Sequence, residues 1–169
     1  MDTACHQMKK QKTSPFHPIE DVIREIRRGR MVVIVDDQAR ENEGDLVIAA
    51  EKATDRSINF MARFGRGLIC VAMTQDRLAR LNITKMSSTH APDTLRTAFM
   101  ASVDARQGIA TGISAHDRAR TIRVLLDNKS RPADLVSPGH VFPLARGKAV
   151  SCAGPVTRKR RLIWHGWPA

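Results

Sequence analysis

Between Val32 and Ala50 the chain reads V-V-I-V-D-D-Q-A-R-E-N-E-G-D-L-V-I-A-A. The apolar runs at its two ends, Met31–Val35 and Leu46–Ala50, are typical of buried β-strands. Arg40 lies between the runs together with five acidic residues: Asp36, Asp37, Glu41, Glu43 and Asp45. Like charges this close repel one another unless a cation neutralises them, and carboxylate oxygens are ligands that Mg²⁺ and Mn²⁺ prefer. The stretch therefore predicts a strand–loop–strand unit with a divalent-cation site. A solvated acidic hairpin loop is the alternative, which spacing alone leaves open.

The composition is that of a soluble globular protein. The 169 residues are enough for one domain with a hydrophobic core, and 42% of them are hydrophobic and 27% charged. No apolar stretch is long enough to cross a bilayer, and the N-terminal M-D-T-A-C-H-Q-M-K-K-Q-K lacks the apolar core of an export signal. Cys5, Cys70 and Cys152 match neither a disulfide framework nor a zinc site. We therefore expect a cytoplasmic protein without a membrane partner.

The charge balance is strongly basic, with a formal net charge of +11. Part of this charge lies in two clusters near the ends of the chain, at residues 9–12 and 158–161. The chain has no tyrosine and only 4% aromatic residues, so it offers few side chains on which bases could stack. Attraction to a generic polyanion is compatible with this pattern, whereas a dedicated nucleic-acid module is disfavoured. Residues 1–17 are predicted to be a disordered polar arm.

Three segments in the first half of the chain have the apolar periodicity of helices. Pro18 opens the first helix and Gly29 ends it. Thr54 caps the second, and Thr74 caps a third that ends at Leu81. The first helix is predicted to present one apolar face, made of Ile19, Val22, Ile23 and Ile26.

The segment Gly108–Ser114 is predicted to be a turn that leads into a longer helix. Ser114 and Asp117 form a capping box, S-A-H-D, at the start of this helix. The inward-facing residues are predicted to be Ala115, Ala119, Ile122 and Leu126. Backbone N–H groups beside Thr111 could bind an anion, although many such turns bind nothing. His116 is expected to be exposed.

Further apolar runs predict strands at Gly67–Met73 and Thr97–Asp104. Cys70 lies in the first of them and is interpreted as a small core residue, unless its thiol lines a pocket. His140 lies in P-G-H-V-F-P-L, where proline and glycine constrain the backbone. It is therefore either a positioned acid/base group or a histidine that merely caps a turn. Strands and helices alternate irregularly, which predicts an α+β or α/β fold with one mixed sheet.

Four motifs, in this order and spacing, closely resemble those of the 3,4-dihydroxy-2-butanone 4-phosphate synthases of riboflavin biosynthesis: D-D-Q-A-R-E-N-E-G-D, G-L-I-C, G-I-A-T-G-I-S-A-H-D-R and P-G-H-V-F-P-L. The resemblance extends from about Ile19 to Leu144. It implies an α+β fold of three α/β/α layers with one mixed sheet at residues 18–145, and a homodimer with composite active sites. It also implies conversion of D-ribulose 5-phosphate to L-3,4-dihydroxy-2-butanone 4-phosphate and formate, with two Mg²⁺ or Mn²⁺ ions.

The resemblance also implies roles for single residues. Glu41 resembles the glutamate that ligates the metal ions, and His140 resembles the histidine needed for catalysis. Asp36 and Asp37 would shape the same acidic pocket and, together with Glu41, contribute to catalysis. Four further residues resemble those that contact the substrate in the family: Arg40, Asp45, Thr111 and Cys70. A chelated cation acidifies the C–H and O–H bonds of a sugar, and carboxylates then move protons during the rearrangement.

The chain departs from the family pattern at several points. Ser137 replaces the arginine that usually precedes P-G-H, Arg66 replaces a smaller residue, and residues 90–96 do not follow the usual motif. After Leu144 the family continues with a segment like G-G-V-L-R-R-x-G-H-T-E-A-A-x-D-L-A, whose histidine is the other protein metal ligand. This chain instead reads G-K-A-V-S-C-A-G-P-V-T-R-K-R-R-L-I-W-H-G-W-P-A.

A frameshift near Leu144–Lys148 accounts for this ending. A shifted reading frame joins the last base of each codon from Lys148 onward to the first two bases of the next codon. In that frame the codons permit G-G-V-L-R-R-A-G-H-T-E-A-A, followed by I-D-L-A-W-L-A-G. We therefore expect residues 146–169 to be an aberrant basic tail that leaves the domain incomplete and truncated. Activity is expected to be impaired because one metal ligand is missing. The alternatives are a divergent tail, a non-catalytic remnant or dimer partner, and a basic polyanion-binding module.

Overall fold

The computed structural model describes residues 16–35, 43–86 and 98–145, together with the backbone of residues 161–163. The α-helices in these ranges are α1 (Ile19–Arg27), α2 (Asp55–Phe60), α3 (Gln75–Arg80) and α4 (Ala115–Leu126). The strands are β1 (Val32–Val35), β2 (Gly44–Val47), β3 (Cys70–Met73), β4 (Val103–Ala105), β5 (Leu135–Ala145) and β6 (Arg161–Ile163). Shorter helical segments are Ala50–Lys52, Met61–Gly65 and Pro132–Asp134.

The described strands form two three-stranded sheets. In the first, β1 lies between β2 and β6 and is antiparallel to both. In the second, β5 lies between β3 and β4, parallel to β3 and antiparallel to β4. The second sheet is therefore mixed, and the predicted α+β class with a mixed sheet is confirmed.

The main hydrophobic core lies between the mixed sheet and the helices α2, α3 and α4. Its central side chains are almost completely buried: Ile58 of α2, Leu78 of α3, Leu125 of α4 and Val141 of β5. Full burial of a side chain of this size contributes about 1.5–3 kcal/mol. This core holds β4 and β5, the two strands that carry most of the described site, in a close-packed setting.

α1 packs on the antiparallel sheet over a much smaller core. It ends at Arg27 as expected, and Gly29 just beyond it has a φ of +79°. The predicted apolar face is only partly correct, because Val22 is buried whereas Ile19 and Ile23 are 50% and 43% exposed. The sheet under α1 is narrow, so within the described residues it covers only the side of the helix around Val22.

The predicted caps of α2 and α3 are confirmed. The hydroxyl of Thr54 accepts the backbone N–H of Ser57 at 3.2 Å, and the Ser57 hydroxyl accepts the N–H of Thr54 at 2.8 Å. The hydroxyl of Thr74 accepts the N–H of Arg77 at 3.3 Å. Each cap satisfies a backbone donor that the first turn of a helix leaves without a partner.

The predicted inward face of α4 is wrong at its C-terminal end. Ala119 and Ile122 are buried as expected, but at the C-terminal end Val124 and Leu125 are buried, at 9% and 0% exposed, whereas Leu126 is 41% exposed. Each residue turns about 100° further round the helix, so Leu126 points away from the face that Val124 and Leu125 share. From Ile122 the buried face continues to Leu125, three residues further on, and not to Leu126, four residues further on.

Several strand bounds differ from the predicted ones. β2 begins at Gly44, and Ala50 starts a 3₁₀-helix instead of ending a strand. β4 is limited to Val103–Ala105, while Phe99 and Met100 earlier in the predicted strand form isolated bridges. The P-G-H-V-F-P-L segment, interpreted as a turn, belongs to β5. Its proline and glycine are accommodated by a bulge, which shapes the site described below.

The sequence predicts an arm and a tail outside the domain, and the structure describes only part of each. Of the predicted arm 1–17, Phe16 and His17 are described. Of the predicted tail 146–169, the backbone of Arg161–Ile163 is described, and it pairs antiparallel with Val33–Val35. The division of the chain at residues 17 and 145 stays a prediction.

Candidate active site

A bulge in β5 forms the centre of the site. Val103 pairs with Val141, but the next residue of β4, Asp104, pairs with Val136, so residues 137–140 project out of the ladder. Ser102, which immediately precedes β4, forms hydrogen bonds in place of the missing ladder bonds. The Ser102 hydroxyl accepts the N–H of Gly139 at 3.1 Å, and the Ser137 hydroxyl donates to the Ser102 carbonyl at 2.8 Å.

Gly139 is required at this bulge by a close backbone approach. A Cβ at this position would overlap the carbonyl group of Val103 and the backbone nitrogen of Asp104. Any side chain would push β5 away from β4 here. The glycine of P-G-H is thus a packing requirement that lets the following residue, His140, approach β4.

His140 is held by the carboxylate of Asp104. The backbone N–H of His140 donates to Oδ1 of Asp104 at 2.9 Å, and Nδ1 of its ring lies 2.7 Å from Oδ2. Asp104 is only 4% exposed, whereas the His140 side chain is 38% exposed. The backbone N–H and Nδ1 of the histidine are therefore held by Asp104, while the rest of the ring is partly open to solvent. This arrangement favours a positioned acid/base group over a simple turn cap.

Sequence reasoning missed Asp104. The residue ends the predicted strand T-A-F-M-A-S-V-D, and an acidic residue at the end of an apolar strand was the available signal. A buried carboxylate needs hydrogen-bond donors, and this one finds them 36 residues away. Only the pairing of β4 with β5 reveals which donors these are.

The turn Gly108–Ser114 is organised by the side chain of Asp117, which is 3% exposed. The Ser114 hydroxyl accepts the N–H of Asp117 at 3.0 Å, as the predicted cap requires. The Asp117 carboxylate, however, accepts the N–H of Gly112 at 3.0 Å. Burial by itself would raise the pKa of Asp117, but hydrogen bonds from Gly112, Ala110 and the Ser114 hydroxyl lower it below its ordinary value.

These hydrogen bonds narrow the predicted backbone anion site, because two N–H groups of the turn are already occupied. The N–H groups of Ala110 and Gly112 already donate to a carboxylate, so they do not face an external anion. Thr111, between them, is exposed. Thr111 is thus an exposed polar residue of this turn, and its contact with a substrate stays a prediction.

The turn packs directly against the His140–Asp104 pair. Gly112 has a φ of +92°, and a Cβ there would overlap the Asp104 carboxylate and lie 2.7 Å from Nδ1 of His140. Glycine is needed on both counts, because the conformation is left-handed and the space is occupied. The structure thus brings Thr111, which adjoins Gly112, to the side of His140.

Cys70 does not belong to the core. It begins β3, where Val71 and Met73 are buried, and it is itself exposed on the other face of the strand. It pairs with Phe142 of β5, which lies two positions beyond His140 and therefore on the same face of the sheet. The interpretation of Cys70 as a core residue is wrong. The alternative, in which its thiol lines a pocket, stays a prediction.

Asp45 of β2 lies close enough to Cys70 to influence its thiol. Desolvation by the surroundings, followed by the negative charge of Asp45, raises the pKa of the Cys70 thiol above its ordinary value. Both effects disfavour the thiolate. Near neutral pH this cysteine is a neutral, protonated group and not an activated nucleophile.

Of the predicted site residues, His140, Thr111, Cys70 and Asp45 fall within the described ranges. The others lie outside them: Asp36, Asp37, Arg40 and Glu41. Within the described part of the chain, no group of three or more His, Cys, Asp or Glu side chains could hold a metal ion. His116 is exposed as expected, and its Nδ1 lies 2.9 Å from the Asp55 carboxylate of α2, so it belongs to a surface pair.

A family profile described as 3,4-dihydroxy-2-butanone 4-phosphate synthase matches residues 20–152. The chain belongs to this synthase family. It is 52% identical to the 3,4-dihydroxy-2-butanone 4-phosphate synthase of Agrobacterium fabrum over 126 residues, which are 75% of this chain and 59% of that protein. It is 48% identical to the riboflavin biosynthesis protein RibBA of Aquifex aeolicus over 139 residues, which are 81% of this chain and 34% of that protein.

Solved structures of the synthase family share the fold. One, a 3,4-dihydroxy-2-butanone 4-phosphate synthase in complex with two magnesium ions, matches with a TM-score of 0.73 and 45% identity over 78% of this chain and 61% of that one. A cation-free form matches with a TM-score of 0.68 and 43% identity over 78% and 60% of the two chains. The chain thus spans about three fifths of the length of these synthases. None of the helices in the described ranges is long and apolar enough to cross a membrane.

Proposed function

We propose that this chain derives from an enzyme that converts D-ribulose 5-phosphate to L-3,4-dihydroxy-2-butanone 4-phosphate and formate, and that its described residues form part of that active site. The observation that carries the proposal is the His140–Asp104 pair beside the Thr111 turn, in a chain of the synthase family. Cys70 lies on the same face of the mixed sheet as His140, and Asp45 acts on its thiol. We further propose a cytoplasmic homodimer.

The chemistry of the described groups suits a sugar phosphate. His140 can take a proton from a hydroxyl or a carbon next to a carbonyl and return it later. The exposed hydroxyl of Thr111 can donate to a phosphate or hydroxyl oxygen beside it. The Cys70 thiol, kept protonated by its raised pKa, can contact the sugar without attacking it. Asp45 adds a carboxylate that can accept a substrate hydroxyl group.

A divalent cation, Mg²⁺ or Mn²⁺, is part of this proposal, with Glu41 as its ligand. Support comes from the relative solved with two magnesium ions. Such a cation, bound to neighbouring hydroxyl and carbonyl oxygens, would stabilise the enediolate form of the sugar. Glu41 lies outside the described residues, and no metal-binding group of three side chains occurs within them. The described residues with a proposed role are therefore His140, Thr111, Cys70 and Asp45.

We also propose that residues 146–169 are read in a shifted frame. The support is in the residues themselves, since their codons permit H-T-E-A-A and its neighbours in the other frame. The match to the family profile ends at residue 152, before the basic cluster 158–161. β6 meets β1 through backbone pairing, which requires little of a particular sequence. We therefore expect low activity in this chain, because the histidine of H-T-E-A-A is not read in its frame.

Formate release from D-ribulose 5-phosphate with Mg²⁺ tests both proposals. Two proteins are compared: the chain as printed, and a chain in which the coding frame is restored after Ala145. Release by the restored chain, together with little or none by the printed chain, is the expected result. Equal release by both would overturn the tail proposal, and no release by either would overturn the proposed activity. Sequencing the coding DNA across codons 140 to 169 is the independent check, because a shifted frame without H-T-E-A contradicts the frameshift.

Substitutions in the restored chain tie turnover to this site. Glu41→Ala and His140→Ala are each expected to reduce kcat by on the order of 10²-fold or more. Asp76→Asn, an exposed change in the first turn of α3, serves as the matched surface control. Salt-sensitive binding of nucleic acid without turnover would instead favour the basic polyanion-binding module.

A further inference from the structure

We propose that a basic cavity beside the C-terminal half of α4 binds a small polyphosphorylated anion. The cavity has a volume of about 450 Å³ and lies between that part of the helix, the two residues after β4 and the segment that joins α4 to β5. This volume falls within the range of small-molecule sites. The proposal goes beyond the proposed function and does not depend on it.

Positive charge dominates the lining of the cavity. Nine described residues line it, and Val124 is the single apolar residue among them. The charged ones are four cations, Arg106, Arg120, Arg123 and Lys129, and two carboxylates, Asp127 and Asp134. A lining of this kind offers charged hydrogen bonds and almost no apolar contact, which suits an anion with several phosphate groups.

The two carboxylates of the cavity are engaged in local turns. Oδ1 of Asp127 accepts the backbone N–H of Lys129 at 2.9 Å, and Oδ2 of Asp134 accepts the backbone N–H of Arg131 at 2.7 Å. Within the described ranges, neither carboxylate forms an ion pair with an arginine or lysine side chain. The cations of the cavity are therefore not neutralised by direct contact with these two carboxylates.

Arg106 is held in one orientation by two backbone carbonyl groups. Its Nε–H donates to the carbonyl of Ala133 at 2.6 Å, and its Nη2 donates to the carbonyl of Leu135 at 3.3 Å. These bonds fix the plane of the guanidinium and leave Nη1 without a partner among the described residues. An arginine fixed in this way loses little side-chain entropy when it binds an anion.

Arg120 lies against the start of the turn that precedes α4. A Cβ on Gly108 would lie 3.2 Å from Nε of Arg120 and 3.9 Å from its guanidinium carbon, and Gly108 has a φ of +75°. In the part of the chain that the structure describes, the side chains of Arg120 and Lys129 form no hydrogen bond or ion pair. Arg123 is less free, because its Nη1 lies 3.9 Å from the Asp55 carboxylate. Arg120 and Lys129 thus offer unpaired positive charge to a ligand.

The cavity is separate from the proposed active site. Its described lining includes none of the residues that have a proposed role there. Asp117, which organises the turn beside His140, lies in the first turn of α4, and Asp127 of the cavity lies ten positions further on. Ten residues of an α-helix span about 15 Å. The two sites therefore lie at opposite ends of α4.

Calorimetric titration of the full chain with inorganic triphosphate tests for binding, at about 0.1 M salt and without divalent cations. Saturable binding with a Kd below about 1 mM is the expected result. Acetate and inorganic phosphate cannot bridge several cations of the cavity, so they should bind about tenfold more weakly or worse. Equal affinity for the three anions, or no saturable binding of triphosphate, would overturn the proposal.

Substitutions locate the bound anion. Arg120→Gln and Lys129→Gln each remove one charge from the cavity and are expected to weaken triphosphate binding about tenfold or more. Arg27→Gln is the matched control, because it removes the same charge from an exposed arginine in the last turn of α1, and it should change the affinity less than about twofold. Similar weakening in all three variants would show attraction to the net charge alone. That result, or unaltered affinity in both cavity variants, would overturn the proposal.

Thr111→Val separates the cavity from the proposed active site. This variant should bind triphosphate within about twofold of the unsubstituted chain. If Thr111→Val weakens binding and Arg120→Gln does not, the anion occupies the proposed active site and the proposal is overturned. Urea unfolding checks that each variant is folded, and Lys129→Gln, which lies outside α4, decides if Arg120→Gln does not fold. Because no turnover is measured, the result is independent of the proposed activity.

Discussion

The two sheets of this protein rest on hydrophobic cores of very different size. Among the described residues, the mixed sheet and the helices α2, α3 and α4 share one cluster of sixteen buried hydrophobic residues. The antiparallel sheet and α1 share a cluster of two, Val22 and Val32. Because burial of apolar surface is the main source of stability, we expect the mixed-sheet region to be the more stable of the two described regions.

The candidate active site draws on both regions. His140, Asp104 and the Thr111 turn stand on the mixed sheet and α4, where an acid/base group can be held in one orientation. Asp45 stands on the antiparallel sheet, at the end of the acidic stretch. The groups proposed to transfer protons thus stand on the large core, while the stretch proposed to bind the cation adjoins the small one.

Core truncation should show the largest difference between the regions. Leu125→Ala, at a side chain that is 0% exposed, is expected to lower the free energy of unfolding by about 2–5 kcal/mol. Ile23→Ala in α1, at a side chain that is 43% exposed, should cost under about 1 kcal/mol. Leu126→Ala is the matched control, at about 0.5 kcal/mol or less, because this neighbour of Leu125 is exposed. Urea unfolding measures all three, and equal losses for Ile23→Ala and Leu125→Ala would contradict the comparison.

The bulge in β5 offers the next largest effect. Gly139→Ala places a Cβ on the backbone of β4 and is expected to cost about 1–3 kcal/mol of stability. The His140–Asp104 hydrogen bonds should be lost with it, which ¹H–¹⁵N spectra of protein labelled with ¹⁵N-histidine would show. Gly67→Ala is the control, since a Cβ there meets only the Gly65 carbonyl oxygen, at 3.9 Å. If both substitutions are tolerated equally well, the close approach of β5 to β4 is not a requirement.

Hydrogen exchange sharpens the comparison without substitutions. Amides in β5 that are bonded to β3 and β4 are expected to exchange roughly tenfold more slowly, or slower still, than the paired amides of β1 and β2. The reason is that opening the mixed sheet exposes the large core, whereas opening the antiparallel sheet exposes little apolar surface. Similar protection in both sheets would show that the smaller region is stabilised by more than its described contacts.

Acid titration of stability gives the smallest expected effect. The pKa of Asp117 is lowered in the folded state, so the folded protein stabilises the ionised carboxylate more than the unfolded chain does. This contribution is complete above the ordinary aspartate pKa of about 3.9 and is lost as the pH falls through the lowered value. Asp117→Asn should therefore be less stable than the unsubstituted chain near pH 6, and the difference should shrink toward pH 2. Leu126→Ala, which removes no titrating group, serves as the control, and a difference that grows on acidification would contradict the sign.

Much of the local structure was predictable because its causes are local. The threonine caps of α2 and α3 and the end of α1 before Gly29 follow from residues a few positions apart, and each is confirmed. The inward face of α4 was not predicted correctly, since the choice between Leu125 and Leu126 depends on where the mixed sheet lies relative to the helix. A periodic pattern predicts that a helix has a buried face more reliably than it predicts the last residue of that face.

The candidate site was predictable in part for a similar reason. His140, Thr111, Cys70 and Asp45 were recognised from motifs, and the described structure places the Thr111 turn against His140 and Asp45 near Cys70. Asp104 could not be assigned, because its role depends on a strand pairing that no local pattern encodes. Cys70 was assigned to the core from its apolar neighbours, but alternation along β3 turns it to the opposite face.

By itself, the sequence determined the family, the α+β class, the helix caps and the motif residues, because these depend on residue types at short, regular spacing. Tertiary structure alone decided that Asp104 holds His140, that Asp117 occupies the backbone donors of the Thr111 turn, and that Gly112 and Gly139 make room for the first of these contacts. The physical reason is that a buried carboxylate must find donors wherever the packed strands place them. Those donors lie far away in the sequence for Asp104 and on the preceding turn for Asp117.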